Sequence, residues 1–546
     1  KPFLNNSELY LTIILKAKDE PEEGNQYAIV KIPSDHLQRF IVLPSNDDSH
    51  HVILLDEIVR YSLKWLFPGY HVIHSYSIKL TRDAELYIED EFSGDLLEKI
   101  KKGLIKRHIG PASRLVYDEA MPKEMLNYFL RLLEISKTDL TPEGRYHNNF
   151  DFFLFPDFKL KHLKNKVLKP LAYPEFGADR DIFEAIAKRD HLLYFPYHEY
   201  EGLIRFFEKA AQDPHVTSIK VTLYRVAKKS KIVDALIEAA ANGKNVFAFL
   251  EVKARFDEEA NLRWGEEMEK NGIKVRYSFP GLKVHAKCAL ITRKIEGSQE
   301  QFAYLSTGNF HEQTAKAYTD YGLFTADDRL TSEVSRVFAF LENTKLPSQH
   351  FQHLLVGQFN MNDQLKSLIR FEIDEAQSGR PAEIIVKLNG LQDPEMIDLL
   401  YEAGMAGVRI RLIVRGICCL VPGKPGLSDN INGISIVDRY LEHSRVYYFY
   451  HGGQDKIFIS SSDWMVRNLH FRIEVAFPVF DPELKKQIMD IIDLQWRDNV
   501  KARNINDGHM NEYIRNHEEK KLRSQIETYK YYKSLIKSTD ESIKKD

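Results

Sequence analysis

Two stretches of this chain run through the same series of features in the same order, and an internal duplication narrows the available folds more than any single motif. IKVTLYRV at 219–226 aligns with IIVKLNGL at 384–391, both rich in β-formers. Each leads into a helical stretch that ends on glycine, AAANGKNV with Gly243 and YEAGMAGV with Gly407. Each then enters a strand ending in arginine, VFAFLEVKAR at Arg255 and VRIRLIVR at Arg415. A histidine follows, His285 in GLKVHAKCALITR and His443 in YLEHSRVYYF. Finally STGNFHEQTAKAYTD (306–320) aligns without gaps on SSSDWMVRNLHFRIE (460–474), pairing Asn309 with Asp463, Phe310 with Trp464 and Asp320 with Glu474. Duplicated α/β units related by a pseudo-twofold bring equivalent residues to one cleft. His285 and His443 are expected to meet there.

The 546 residues are too many for one core, and 43% hydrophobic with 28% charged residues is an ordinary globular balance. Residues 1–170 mix β-like runs (ELYLTIILKA, YAIVKI, AELYIED) with helical stretches such as PKEMLNYFLRLLEI, which suggests an α+β head domain. Two α/β domains are expected over 171–352 and 353–505. Residues 506–546 read as a charged amphipathic helix that frays, with no chemistry visible in it. No apolar run is long enough for a membrane span. The three cysteines include the adjacent pair Cys418 and Cys419, which fits a reducing, cytoplasmic setting rather than a disulfide framework. A net charge of −3 argues against a general nucleic-acid coat, so any polyanion must be held by local clusters. Residues 96–117 carry Lys99, Lys101, Lys102, Lys106, Arg107 and Arg114 against the single Glu98, and 157–169 carry five lysines against Asp157. A solvated face is the ordinary explanation of such runs.

In an extended chain His285 and Lys287 share one face, with Val284, Ala286, Cys288 and Leu290 on the other. Taken alone, this reads as an edge strand with two solvated polar residues. The duplication adds His443, Arg225, Arg255, Arg415 and Asn309 to the residues expected to converge. No Cys/His or carboxylate cluster there has metal-ligand spacing. Ser306 and Ser461 do not sit in a G-x-S-x-G elbow, and there is no phosphate-binding glycine loop of the Walker or kinase type. Guanidinium forks around a histidine suit phosphoryl chemistry: arginine binds phosphate oxygens in bidentate fashion, and imidazole can form a covalent phosphorus intermediate. Asp320 or Glu474 could orient a histidine through its second ring nitrogen.

H-x-K followed by an asparagine-containing S-T-G-N stretch, in duplicated halves, resembles the phospholipase D superfamily. The full motif of that superfamily, H-x-K-x-x-x-x-D, meets Thr292 at its aspartate position, and His443 is followed by Ser444 and Arg445 with no lysine. VTLYRVAKKSKIVDALIEAAANGK, EVKARFDEEANLRW, PGLKVHAK, STGNFHEQTAKAYTDYGL, ISIVDRYLEHSRV and FISSSDWMVRN closely resemble the class-1 polyphosphate kinases over about 170–503, with weaker echoes in IKRHIGPASRLV and FDFFLFP. That resemblance implies two phospholipase D-like α/β domains related by a pseudo-twofold, preceded by the α+β head. It implies reversible transfer of the terminal phosphoryl of ATP to inorganic polyphosphate, with Mg2+, through a phosphohistidine at His285. His443 is the second active-site histidine by the same resemblance. Arg225, Arg255 and Arg415 bind phosphate, the first two beside Mg2+, and Tyr318 contacts the nucleotide. Lys287 and Asn309 are expected beside the phosphates, and the basic runs at 96–117 and 157–169 along the polyphosphate path. The family implies a homo-oligomer, dimer or tetramer, and association with the inner face of the membrane from the cytoplasm. Its helical N-terminal domain, which touches the nucleotide, is expected to precede the segment in hand. The competing readings are a phosphodiesterase or nuclease using the same histidine, and a non-catalytic polyphosphate-binding protein.

Overall fold

The computed structural model describes residues 2–19, 24–82, 112–252, 258–278, 282–344, 349–508, 511–515 and 520–543. Its contacts divide the chain into two compact units, residues 1–165 and 166–546. The cluster residues Lys99, Lys101, Lys102, Lys106 and Arg107 lie outside the described residues, as does Arg255.

The first unit is α+β. Strand Leu9–Ala17 sits inside a five-stranded sheet, between Gln26–Lys31 and Tyr70–Arg82, and is buried on both faces. Its alternation explains the two layers. Leu9, Leu11, Ile13 and Leu15 meet Leu55 and Leu63 of helix Leu55–Leu66. Tyr10 and Ile14 meet Met125, Phe129 and Leu133 of helix Lys123–Leu133. Arg114 lies on strand Ala112–Asp118, half exposed, and donates from Nε to Thr141 Oγ1 at 3.0 Å.

The second unit contains the duplication. In the first half the strand order is Lys274–Tyr277, Asn245–Leu250, Val216–Leu223, Lys287–Ile295, Ser298–Ser306, Tyr318–Thr325 and His191–Phe195. In the second it is Ile431–Ile436, Arg409–Val414, Glu383–Leu388, Arg445–Phe449, Lys456–Ser460, Val475–Pro478 and Leu355–Val356, with Ala502–Asn504 added at the first edge. These are the same seven places in the same order. One apolar cluster runs through both halves, joining Val284, Ala286, Cys288 and Leu290 to Val446, Ile459, Ile473 and Val475. The two sheets therefore share a core, which locks them together by burial of apolar surface.

Two expectations need correction. Residues 282–293 do not form one strand: Lys283–Val284 and Lys287–Ile295 are separate, and the chain pinches between them at His285–Ala286. There the backbone N–H groups of His285 and Ala286 both donate to Ile473 O of the other half, at 2.8 and 3.1 Å, instead of to a strand of their own sheet. Nor is Lys287–Ile295 an edge. It pairs with Val216–Leu223 on one side and Ser298–Ser306 on the other, so Lys287 is only 1% exposed.

Candidate active site

The short strand before each histidine crosses to the other half. Lys283–Val284 pairs in parallel with Arg472–Ile473, and Leu441–Glu442 pairs in parallel with Tyr318–Thr319. The registers match: the two residues before each histidine pair with the two residues before the opposite half's carboxylate. This places His285 Nδ1 at 3.0 and 2.9 Å from the two oxygens of Glu474, and His443 Nδ1 at 2.7 Å from Asp320 Oδ1. Each histidine thus takes its carboxylate from the other half. Asp320 and Glu474 also have matched supports, Thr307 Oγ1 donating to Asp320 at 2.5 Å and Ser461 Oγ donating to Glu474 at 2.5 Å. Asn468 Nδ2 gives Glu474 a further donor at 2.7 Å.

The proton positions follow. A carboxylate on Nδ1 requires an N–H there, so His285 presents the lone pair of Nε2. Burial drives the His285 pKa well below the ordinary histidine value, and the charges of Lys287, Arg472, Arg445 and His443 add to it. His285 is neutral at pH 7. His443 is held down as well, by burial above all, with Asp320 opposing and Arg445 reinforcing. Arg445 Nη1 donates to His443 Nε2 at 3.2 Å, which fixes the Nδ1–H tautomer in that pair also.

Arg445 is the residue that sequence reasoning missed. It stands two places after His443, as Lys287 stands two places after His285, so the second half does carry a cation in register. A search for H-x-[KR] finds it. Its guanidinium is buried and spans Asp463, with Nη2 to Oδ2 at 2.9 Å and Nε to Oδ1 at 3.3 Å. Asp463 also accepts the backbone N–H of Asn389 at 2.7 Å and of Gly390 at 3.2 Å. Burial pushes its carboxyl up, but Arg445 and these donors hold it well below the usual range.

Arg415 directly follows strand Arg409–Val414, with its N–H on Leu388 O. Nε and Nη2 grip Asn389 Oδ1 at 2.9 and 2.7 Å, and Nε also reaches Glu442 O, next to His443, at 2.9 Å. The sequence alignment paired Arg415 with Arg255, and the register corrects this. Leu250 pairs with Leu223 as Val414 pairs with Leu388, so the counterpart of Arg415 is Glu251, whose N–H lies on Leu223 O. Glu251 is buried and accepts the N–H of Val284, the residue before His285, at 2.9 Å. The same position in each half therefore holds the backbone ahead of the histidine, once by an acceptor and once by a donor.

Tyr318 packs against His443, with ring centroids 5.3 Å apart. Tyr224 meets His285 edge-on at 4.8 Å, and Lys287, Lys283 and Arg225 approach its ring at 5.2, 5.4 and 5.9 Å. Asn309, half-buried, lies in the loop after strand Ser298–Ser306. The structure thus brings His285, His443, Lys287, Asp320, Glu474 and Arg445 into one electrostatic neighbourhood, with Arg415 and Tyr318 on its His443 side and Arg225 on its His285 side.

Gly308 makes room for one of these carboxylates. A Cβ there would lie 2.6 Å from both Cγ and Oδ2 of Asp320. Gly308→Ala is expected to push Asp320 off His443 and to lower turnover by about 100-fold, the scale of a 1 Å misplacement in an active site. Turnover assays beside a thermal melt check this, and an alanine variant with full activity would show that the Asp320 contact is dispensable.

A model of the polyphosphate kinase middle domain matches residues 1–155. Models of polyphosphate kinase C-terminal domains 1 and 2 match 181–347 and 354–525. The chain is 44% identical to a polyphosphate kinase of Vibrio vulnificus (strain YJ016) over 543 residues, which is 98% of this chain and 77% of that one. It is 44% identical to a polyphosphate kinase of Escherichia coli (strain K12) over 541 residues, 98% of this chain and 78% of that one. Among solved structures, the polyphosphate kinase from Porphyromonas gingivalis superposes with a TM-score of 0.83 at 40% identity, covering 98% of this chain and 79% of that one.

Proposed function

Because this chain belongs to the polyphosphate kinase family, we propose that it transfers the terminal phosphoryl group of ATP to inorganic polyphosphate, reversibly, by way of a phosphohistidine at His285. The observation that carries this reading is the exchange of carboxylates between the two halves, which leaves Nε2 of a neutral His285 as the nucleophile. In the first step that lone pair attacks the γ-phosphorus. The P–N bond forms, the bond to the β-phosphate oxygen breaks, and ADP leaves with the electron pair. With phosphorus on Nε2 and a proton on Nδ1 the ring is cationic, and the Glu474 carboxylate beside Nδ1 compensates that charge. In the second step a terminal oxygen of polyphosphate attacks the same phosphorus, the P–N bond breaks, and His285 returns to neutrality. Read in reverse, the same site makes ATP from ADP and polyphosphate.

His443 serves the second step in this reading. It is neutral, and when Arg445 turns its Nη1 from His443 onto an oxygen of the incoming chain-end phosphate, the freed Nε2 can take that phosphate's proton. Arg225, Arg415 and Lys287 supply charge to the non-bridging oxygens, and Tyr318 offers a ring face to the base. Mg2+ suits this site as part of the MgATP substrate. Glu474, Asp320 and Asp463 are each committed to a histidine or an arginine, so phosphate oxygens and water would supply its ligands. Among the described residues no helix is long and apolar enough to cross a membrane.

Lys287 gives this site a pH signature. Burial lowers its ammonium to about 7, with Glu474 opposing and Arg445 and Arg472 reinforcing. The free enzyme therefore loses that positive charge as pH rises through about 7, and kcat/KM for ATP should fall on the same limb. Lys287→Arg keeps the charge and should flatten it. An unchanged limb in the arginine variant would remove Lys287 from phosphate binding.

The decisive experiment is incubation with γ-labelled ATP and Mg2+, followed by a chase with polyphosphate or ADP. Acid-labile, alkali-stable label that chases into both products supports the reading. Release of inorganic phosphate or of a cleaved phosphodiester, with no transfer, overturns it.

A further inference from the structure

The C-terminal helix Ser524–Ile543 reads in the sequence as a charged tail that frays, and the structure docks it beside the active site instead. Its first turn is fixed by Asp498, fully buried, whose Oδ2 accepts the N–H of Ser524 at 2.7 Å. Two turns later Tyr532 is buried in the first half, edge-on to His198 at 4.6 Å and near Tyr194 at 6.0 Å. Between them, Gln525 is 1% exposed and spends its whole amide on the strand that leads to His443. Its Oε1 accepts the N–H of Tyr440 at 3.0 Å, and its Nε2 donates to Tyr440 O at 2.9 Å and to Glu442 Oε1 at 2.8 Å.

Glu442 precedes His443 and is buried. Its other oxygen accepts from Gln495 Nε2 at 3.0 Å and Thr319 Oγ1 at 3.2 Å, and pairs with Lys387 at 3.1 Å. Thr319 in turn accepts the N–H of His443 at 3.1 Å, and it stands next to Asp320. An unbroken hydrogen-bond chain therefore runs from Gln525 through Glu442 and Thr319 to the backbone of His443. Among the described residues the other pair has no such relay through the residues that precede its histidine and carboxylate. The counterparts of Glu442 and Thr319 are Val284 and Ile473, both apolar and both buried.

We propose that the C-terminal helix is a positioning element for one histidine of the pair: through Gln525 and Glu442 it sets His443 against Asp320, and it leaves His285 and Glu474 untouched. The inference rests on the assignment of His443 to the second step. Its test separates the two steps in the full chain, measuring formation of the phosphoenzyme from γ-labelled ATP and discharge of that label into polyphosphate. Gln525→Leu removes the amide, and discharge should slow about 10-fold or more while formation stays within about 2-fold. Should that variant fold poorly, Gln525→Glu keeps the shape and faces Glu442, whose other oxygen is paired with Lys387. Two carboxyl groups sharing a proton restore the bond at low pH and repel at high pH, so its discharge deficit should grow with pH while formation does not follow. Equal losses in both steps, or no loss in either, overturn the positioning role. A labelled wild type with such variants sinks this inference alone, whereas an unlabelled wild type sinks the phosphohistidine reading and takes this inference with it.

Discussion

His285→Ala is expected to abolish both the acid-labile label and net polyphosphate synthesis, a loss of at least about 10⁴-fold in turnover, since it removes the proposed nucleophile. The fold should survive. The side chain is only partly buried, and the contacts that pin this turn are made by backbone N–H groups of His285 and Ala286 to Ile473 O, which alanine retains. A melting temperature near that of the wild type would separate lost chemistry from lost structure. His443→Ala makes the contrast, since it should still take up label from ATP and then hold it against a polyphosphate chase. A His285→Ala enzyme that still carries label would move the covalent step to another residue. Loss of labelling in His443→Ala alone would make His443 essential to the first step.

Glu474→Gln should be the second most damaging change, with kcat reduced by up to about 10⁴-fold, the loss when a triad histidine loses its orienting carboxylate. An amide of the same shape can still accept the Nδ1–H, so the imidazole keeps its place. It cannot compensate the cationic ring that the proposed transfer to Nε2 would form. Formation of phosphoenzyme should slow, and its discharge should not slow with it, because discharge relieves that charge. The sign of the pH effect agrees. Burial pushes the Glu474 carboxyl up, with Lys287 and Arg472 opposing, so acidification protonates it sooner than an ordinary glutamate and removes the same compensation. Rapid-quench labelling across pH checks both points. A glutamine variant that labels at the wild-type rate would reduce Glu474 to a structural support. Asp320→Asn provides the mirror comparison, with discharge as the affected step.

Much of this site was legible in the sequence because duplicated segments can be laid on one another. The alignment of 306–320 on 460–474 matched Asp320 to Glu474, and the structure gives these two residues equivalent places. What the alignment could not show is which histidine each carboxylate serves. The exchange is made by two-residue strands crossing between the halves, too short to leave a pattern. Arg445 is hard to see because the H-x-K pattern has lysine two places after histidine, although arginine offers a cation at that position. Arg255 was matched to Arg415 on residue type, and only strand register reveals Glu251 as the counterpart. Lys287 looked solvated because a two-residue period cannot distinguish an edge strand from one paired on both sides. The C-terminal helix deceived for a further reason. Its lysines and glutamates advertise solvent, while a single buried glutamine ties it to the strand before His443 and a single buried tyrosine ties it to His198.

The crossed carboxylates also limit how the enzyme can move. Many transferases shut a jaw over their substrates and open it to release product. Swinging these two halves apart would draw Glu474 away from His285 and Asp320 away from His443 in one motion, and would break the apolar cluster that both sheets share. The frame must stay closed while nucleotide and polymer come and go. Substrates then have to enter with both halves in place, and a growing polyanion can be advanced one phosphate at a time without the machinery around it letting go.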